Sequence, residues 1–258
     1  MRLDHKREQV LASVSEGYNP WLHLCLTVGS GVAVLAVSIW FIEALDVLEL
    51  LVIPAMFLAA NAGEWRVHRD LLHKRIRLFT ILYDQHTPLH HVAYQYDTMG
   101  IRSLRELKLI LIPSFGVAMI TVGVAPFALL AGWLVTANCG WLVLVTSALY
   151  VVIYELLHLT YHLPPNSALG RLSVVGWLRE HHRRHHDPRL MQRWNMNVSF
   201  PLWDLVRGTR ISNARFEALT GTSAERGPGA APGAELREQG APGEAPPPAG
   251  QAGHPGGY

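Results

Sequence analysis

Positions 109–154 run 46 residues without a single Asp, Glu, Lys, Arg or His. A helix of this kind has no charged face to turn toward water, so it belongs in hydrocarbon. At about 1.5 Å per residue the stretch reaches about 69 Å, enough for two crossings of a core about 30 Å thick. Pro126, Gly132 and the run Thr136-Ala137-Asn138-Cys139-Gly140 supply places to bend and turn. The expected crossings are 109–135 and 141–158. Two further apolar runs precede them, 21–42 and 45–62, joined by a very short turn. The second carries Asp46 and Glu49 near its start, which makes it the weaker span on hydropathy. The pattern predicts an all-α integral membrane protein with about four transmembrane helices.

The rest of the chain is too polar to share the bilayer. Mean hydropathy over all 258 residues is +0.16 and 16% are charged, so a substantial aqueous part accompanies the spans. Net charge is only +2, which gives no basis for nucleic-acid binding. Cys25 and Cys139 lie in apolar stretches without ligand spacing and are expected to be packing residues. Residues 1–19 form a charged, helical lead-in without the apolar core of a cleaved signal peptide. Residues 20–210 form the main domain and 211–258 a tail. From position 226 onward 16 of 33 residues are Gly or Pro, a composition expected to be disordered.

Basic residues set the expected topology. Arg2, Lys6 and Arg7 precede the first span, eight Lys or Arg lie between 66 and 108, and eight Arg lie between 171 and 210. The two opposite turns contain none. The positive-inside rule therefore puts both termini and the middle segment in the cytoplasm.

Ten of the fourteen histidines fall into four short groups on that same side: His68 and His73; His86, His90 and His91; His158 and His162; His182, His185 and His186. The others are His5, His23, His181 and His254. Pairs four apart project from one helical face, so His158/His162 and His86/His90 suit shared chelation. Adjacent rings, such as His90 and His91, suit division between two ions. His68 and His73 are about 140° apart on a regular helix, which points to division between ions or to a break in the helix. Neutral imidazoles in this number exceed what one tetrahedral ion takes, so two ions are expected. Imidazole suits iron, zinc, copper and nickel alike, and ligand type leaves the element open. His182, His185 and His186 lie at offsets of three and four along one face, with His181 rotated about 100° away.

The motifs His-x4-His, His-x3-His-His, His-x3-His and His-x2-His-His, in that order, resemble the membrane fatty acid hydroxylase and sterol desaturase superfamily. The stretch Asn195 to Asp204 with Gly208-Thr209 is similar to that family's ending. The resemblance covers about residues 64–209. It implies a di-iron centre held by the ten histidines in a cytosolic cap over a four-helix membrane base. It further implies a non-haem oxidoreductase that uses dioxygen and two electrons to hydroxylate or desaturate a lipid, such as a fatty acyl chain or sterol. His181 in place of His182 would reproduce the spacing of the second motif. Asp204, Asn195 and Tyr161 are candidates for orienting the imidazoles, with a helix-cap or surface role as the alternative for each.

This chemistry suits the layout, because breaking an alkyl C–H bond requires an oxidant that no side chain provides. Reductant is expected from a separate electron-donor protein of ferredoxin or cytochrome b type. The rival readings are a histidine-rich membrane metal transporter and a metal-binding protein without oxygenase activity. A transporter would place ionisable ligands within the bilayer, and 109–154 has none.

Overall fold

The computed structural model describes residues 2–222, and the expected tail disorder from 226 onward falls outside them. All regular secondary structure among the described residues is helical, with no strand. The α-helices are α1 (Arg2–Ala12), α2 (Pro20–Trp40), α3 (Val52–Val67), α4 (Thr80–Gln85), α5 (His91–Ala93), α6 (Leu107–Ile110), α7 (Gly116–Leu134), α8 (Ala137–His162), α9 (Ser173–His185), α10 (Leu202–Val206) and α11 (Asn213–Thr220).

Four segments are long and apolar enough to cross a membrane: Pro20–Trp40, Glu49–Leu72, Gly116–Leu134 and Ala137–His162. The chain is an integral membrane protein. The first span starts where Pro20 occupies the opening turn and Asn19 accepts from the Leu22 amide at 3.0 Å. The second begins later and runs further than the hydropathy pattern suggests. Asp46 lies in the turn before it, and Glu49 opens it, accepting from Thr136 and Asn138 of the other hairpin. The third begins at Gly116 rather than near 109. Leu111 is extended and Pro113 follows, so Leu107–Ile110 becomes a separate buried turn of the cap.

Helix α8 is the axis of the bundle. Its most apolar window is 56% buried, against 11 to 22% for the other three. Small residues allow the close approach: a Cβ on Gly140 would meet the Ala128 carbonyl of α7 at 2.7 Å, and one on Gly31 would meet Val152 of α8 at 2.5 Å. Val122, Leu129 and Trp133 of α7 point outward, as lipid-facing side chains do. Cys139 is buried, but Cys25 faces outward and packs no core.

The cap at the α8 C-terminus gathers the polar segments. Val10 and Leu11 of α1 pack against a core of Ala93, Tyr94, Met99, Leu109 and Ile110. Helix α11 corrects the expectation that the tail begins at 211. Phe216 is fully buried among Tyr96, Leu190, Trp194 and Ile211, which is enough apolar burial to order that turn of chain.

A candidate dinuclear metal centre

The four motifs arrive from four directions. His68 ends the second span, His158 and His162 end α8, His86 to His91 occupy the middle segment, and His182 to His186 lie at the end of α9. All ten rings are buried, none more than 8% exposed. They form two groups of five, each with its ligand atoms within 4.8 Å of one another. His68, His73, His86, His91 and His185 make the first. His90, His158, His162, His182 and His186 make the second.

Local backbone geometry decides the sorting. His68–Leu72 and His86–His90 are π-helical turns, in which the amide of the fifth residue on bonds the first carbonyl. His73 donates to the His68 carbonyl at 3.2 Å. A turn of that width brings His73 back over His68, and His91 back over His86, so each pair joins the first group. The even 140° separation of His68 and His73 holds only for a regular helix. The same widening separates His86 from His90, which goes to the second group although a regular helix would keep the two together. Pro88 supplies a cause there, since it has no N–H for the i−4 ladder. Adjacent His90/His91 and His185/His186 each give one ring to each group, and His182 joins His186 rather than His185.

The rings are aimed by their second nitrogens. Nδ1 of His68 donates to the Met196 carbonyl at 2.5 Å, and that of His185 to Trp194 at 2.9 Å. In the second group, His90 donates to Leu109 (2.8 Å), His162 to Met99 (2.8 Å) and His186 to Tyr94 (2.7 Å). Thr87 donates its hydroxyl to the Leu72 carbonyl at 2.6 Å, which leaves its lone pair to accept from His73 Nδ1 at 3.3 Å. Each of these six rings therefore has a bare Nε2, the tautomer following from the hydrogen-bond pattern.

Those bare nitrogens face one another. His73 Nε2 lies 3.2 Å from His68 Nε2 and 2.9 Å from His185 Nε2, and His90 Nε2 lies 3.2 Å from His186 Nε2. No proton is left to sit between them, so lone pair opposes lone pair. Nε2 of His158 and His162 are buried without any partner. Such an arrangement is unfavourable as it stands and is satisfied by a cation at each focus. Burial, and then repulsion from neighbouring rings, holds His86, His91 and His182 far below the ordinary imidazole range. The rings stay neutral, as metal ligation requires.

His181 lies outside both groups. Its Nε2 is 3.2 Å from Asp204 Oδ2. Asp204 is fully buried and also accepts from the Met196 and Asn197 amides at 3.0 and 2.8 Å and from Thr209. Burial alone would raise its pKa, but the hydrogen bonds from His181 and its other donors outweigh this and lower it. Asn195, at positive φ, donates to the His181 carbonyl at 2.8 Å. Both residues thus hold the 194–199 loop whose carbonyls aim His68 and His185, and neither touches those rings. Tyr161, the third candidate for orienting an imidazole, has a buried hydroxyl that bonds none. Sequence reasoning also missed Glu64 and Asn61. Glu64 accepts from Val198, Ser199 and Tyr150, and Asn61 bonds Tyr150, Phe200, Asn197 and Trp203. Their position one or two helical turns before His68 was the available signal.

No curated protein matches the chain. Among solved structures it is similar to one described as full-length scs7p with only the hydroxylase domain visible, at 19% identity and a TM-score of 0.48. The match covers 72% of this chain and 64% of that one, so somewhat less than two thirds of the relative is represented. The model of the fatty acid hydroxylase family matches residues 53–209, more than half of the chain and all four histidine motifs. The chain belongs to the fatty acid hydroxylase family.

Proposed function

We propose that the protein is a membrane-bound, metal-dependent lipid hydroxylase, with desaturation as the closely related outcome. The ten histidines serve as ligands to two iron ions. The observation that carries this reading is the pair of buried five-histidine groups whose bare nitrogens converge at the ends of membrane-spanning helices. When bound, two irons with dioxygen supply the oxidant for an alkyl C–H bond, which redox-inert zinc in the same site would not.

The chain's own residues do the rest. Backbone carbonyls fix the ring tautomers, and burial excludes water from the ligands. Between α3 and α8 lies an apolar cavity of about 280 Å³, lined by Ile53, Phe57, Leu149, Ile153 and Phe200. The same two helices carry His68 and His158 at their cap ends, so a lipid chain lodged between them would run toward both groups. The Lys and Arg distribution supports a cytoplasmic cap. Electrons would arrive there from a separate donor protein of ferredoxin or cytochrome b type.

The test is lipid profiling of cells with and without the protein, beside elemental analysis of the purified enzyme. A lipid with one added oxygen, or two fewer hydrogens, is expected, together with about two metal ions per chain. His86→Ala and His158→Ala, one from each group, should each abolish the product while the protein remains in the membrane. An iron-loaded, reductant-supplied enzyme that changes no lipid under dioxygen refutes the reading.

A further inference from the structure

Helix α1 precedes the matched family region, yet it sends a charged side chain into the cap interior. Arg7 is 3% exposed and pairs with Glu106, which is 0% exposed. The guanidinium also donates to the carbonyls of Thr98 (3.2 Å) and Gly100 (2.8 Å). Those two peptides flank Met99, whose carbonyl aims His162. On its other side Arg7 lies 4.9 Å from the centre of the Tyr94 ring, and the Tyr94 hydroxyl donates to the same Glu106 oxygen at 3.1 Å. The Tyr94 carbonyl aims His186. Glu106 in turn accepts from the Arg102 and Ser103 amides and leads directly into α6, whose Leu109 carbonyl aims His90.

We propose that Arg7 is a positioning residue for the second histidine group, acting on His90, His162 and His186 through Glu106, Tyr94 and the 98–100 segment. Helix α1 is therefore needed for that group to hold its ion, and the first group does not depend on it. This rests on the reading that each group holds one ion. Three rings of the first group, His68, His185 and His73, take their orientation from Met196, Trp194 and Thr87, none of which the Arg7 network touches. The guanidinium divides these bonds between two nitrogens held in one rigid plane, Nη1 on Thr98 and Nη2 on Gly100 and Glu106, a spread that a single ammonium nitrogen does not reproduce, so lysine is a poor substitute.

The experiment measures metal per chain in full-length protein purified from membranes. Arg7→Ala should fall from about two ions to about one. Added to His86→Ala, which empties the first group, it should leave about none. Added to His158→Ala, which empties the second, it should remove nothing further. A merely structural role would lower both double variants alike, and that result, or two ions retained by Arg7→Ala, overturns the inference alone. If His86→Ala and His158→Ala do not each remove one ion, the two-ion reading falls and takes this inference with it. Should Arg7→Ala fail to reach the membrane, Arg7→Lys decides: loss of the second ion from folded protein supports the proposal, and two ions retained overturns it.

Discussion

The two histidine groups share one ligand type and lie against each other, with the His91 and His186 rings stacked at 4.2 Å, yet opposite ends of the chain hold them. The first is aimed by the 194–199 loop, which Asp204, Asn195, Asn61 and Glu64 pin from several sides. The second is aimed by carbonyls at 94, 99 and 109, which the Arg7–Glu106 pair braces from the N-terminal helix. Chemically equivalent sites thus rest on different scaffolds, which meet at the sequential pairs His90–His91 and His185–His186 and where Tyr96 packs with Trp194. Changes to one scaffold should therefore reach the two sites unequally.

The largest contrast is between neighbours in α9. His182→Ala removes a ring of the second group and should eliminate product formation, with one ion retained. His181→Ala removes only a hydrogen bond to Asp204, so it should cost less than about tenfold in activity and keep both ions. Product assay and elemental analysis of the two variants read this directly. Inactive, metal-depleted His181→Ala beside working His182→Ala would reverse the assignment.

Next in size is Asp204→Ala. It leaves the Met196 and Asn197 amides without their acceptor, and with them the carbonyl that aims His68. Affinity for the first ion should fall about 10- to 100-fold, with the second held nearly as before. Chelator titration followed by elemental analysis would detect it. Equal loss from both groups would show that the scaffolds are not separate.

The smallest effect is expected from truncation after Thr222, which removes the Gly- and Pro-rich tail but keeps α11. Metal content and activity should stay close to those of the full chain. Truncation after Ile211 instead removes Phe216, whose burial supports Trp194 and through it His185. That shorter protein should lose the first ion preferentially, and loss of activity already at Thr222 would give the tail a role.

Much of this was legible beforehand, for identifiable reasons. Charge-free runs and their length disclose membrane spans because hydrocarbon tolerates so few alternatives. Histidines concentrated at the ends of those runs disclose ligands because few other uses need so many rings. What could not be read was the partition of rings. It depends on two π-helical turns: Pro88 left a trace of one, and the five-residue spacing of His68 and His73 left for the other only a choice between a helix break and division between ions. Nor could the aiming carbonyls of Tyr94, Met99, Leu109, Trp194 and Met196 be foreseen, because every residue has a carbonyl and only the fold chooses which ones face a ring. Periodicity and composition therefore determined four spans, a cap and ten candidate ligands. Tertiary structure alone decided which five rings share a focus and which end of the chain holds each, because both follow from backbone path rather than side-chain identity.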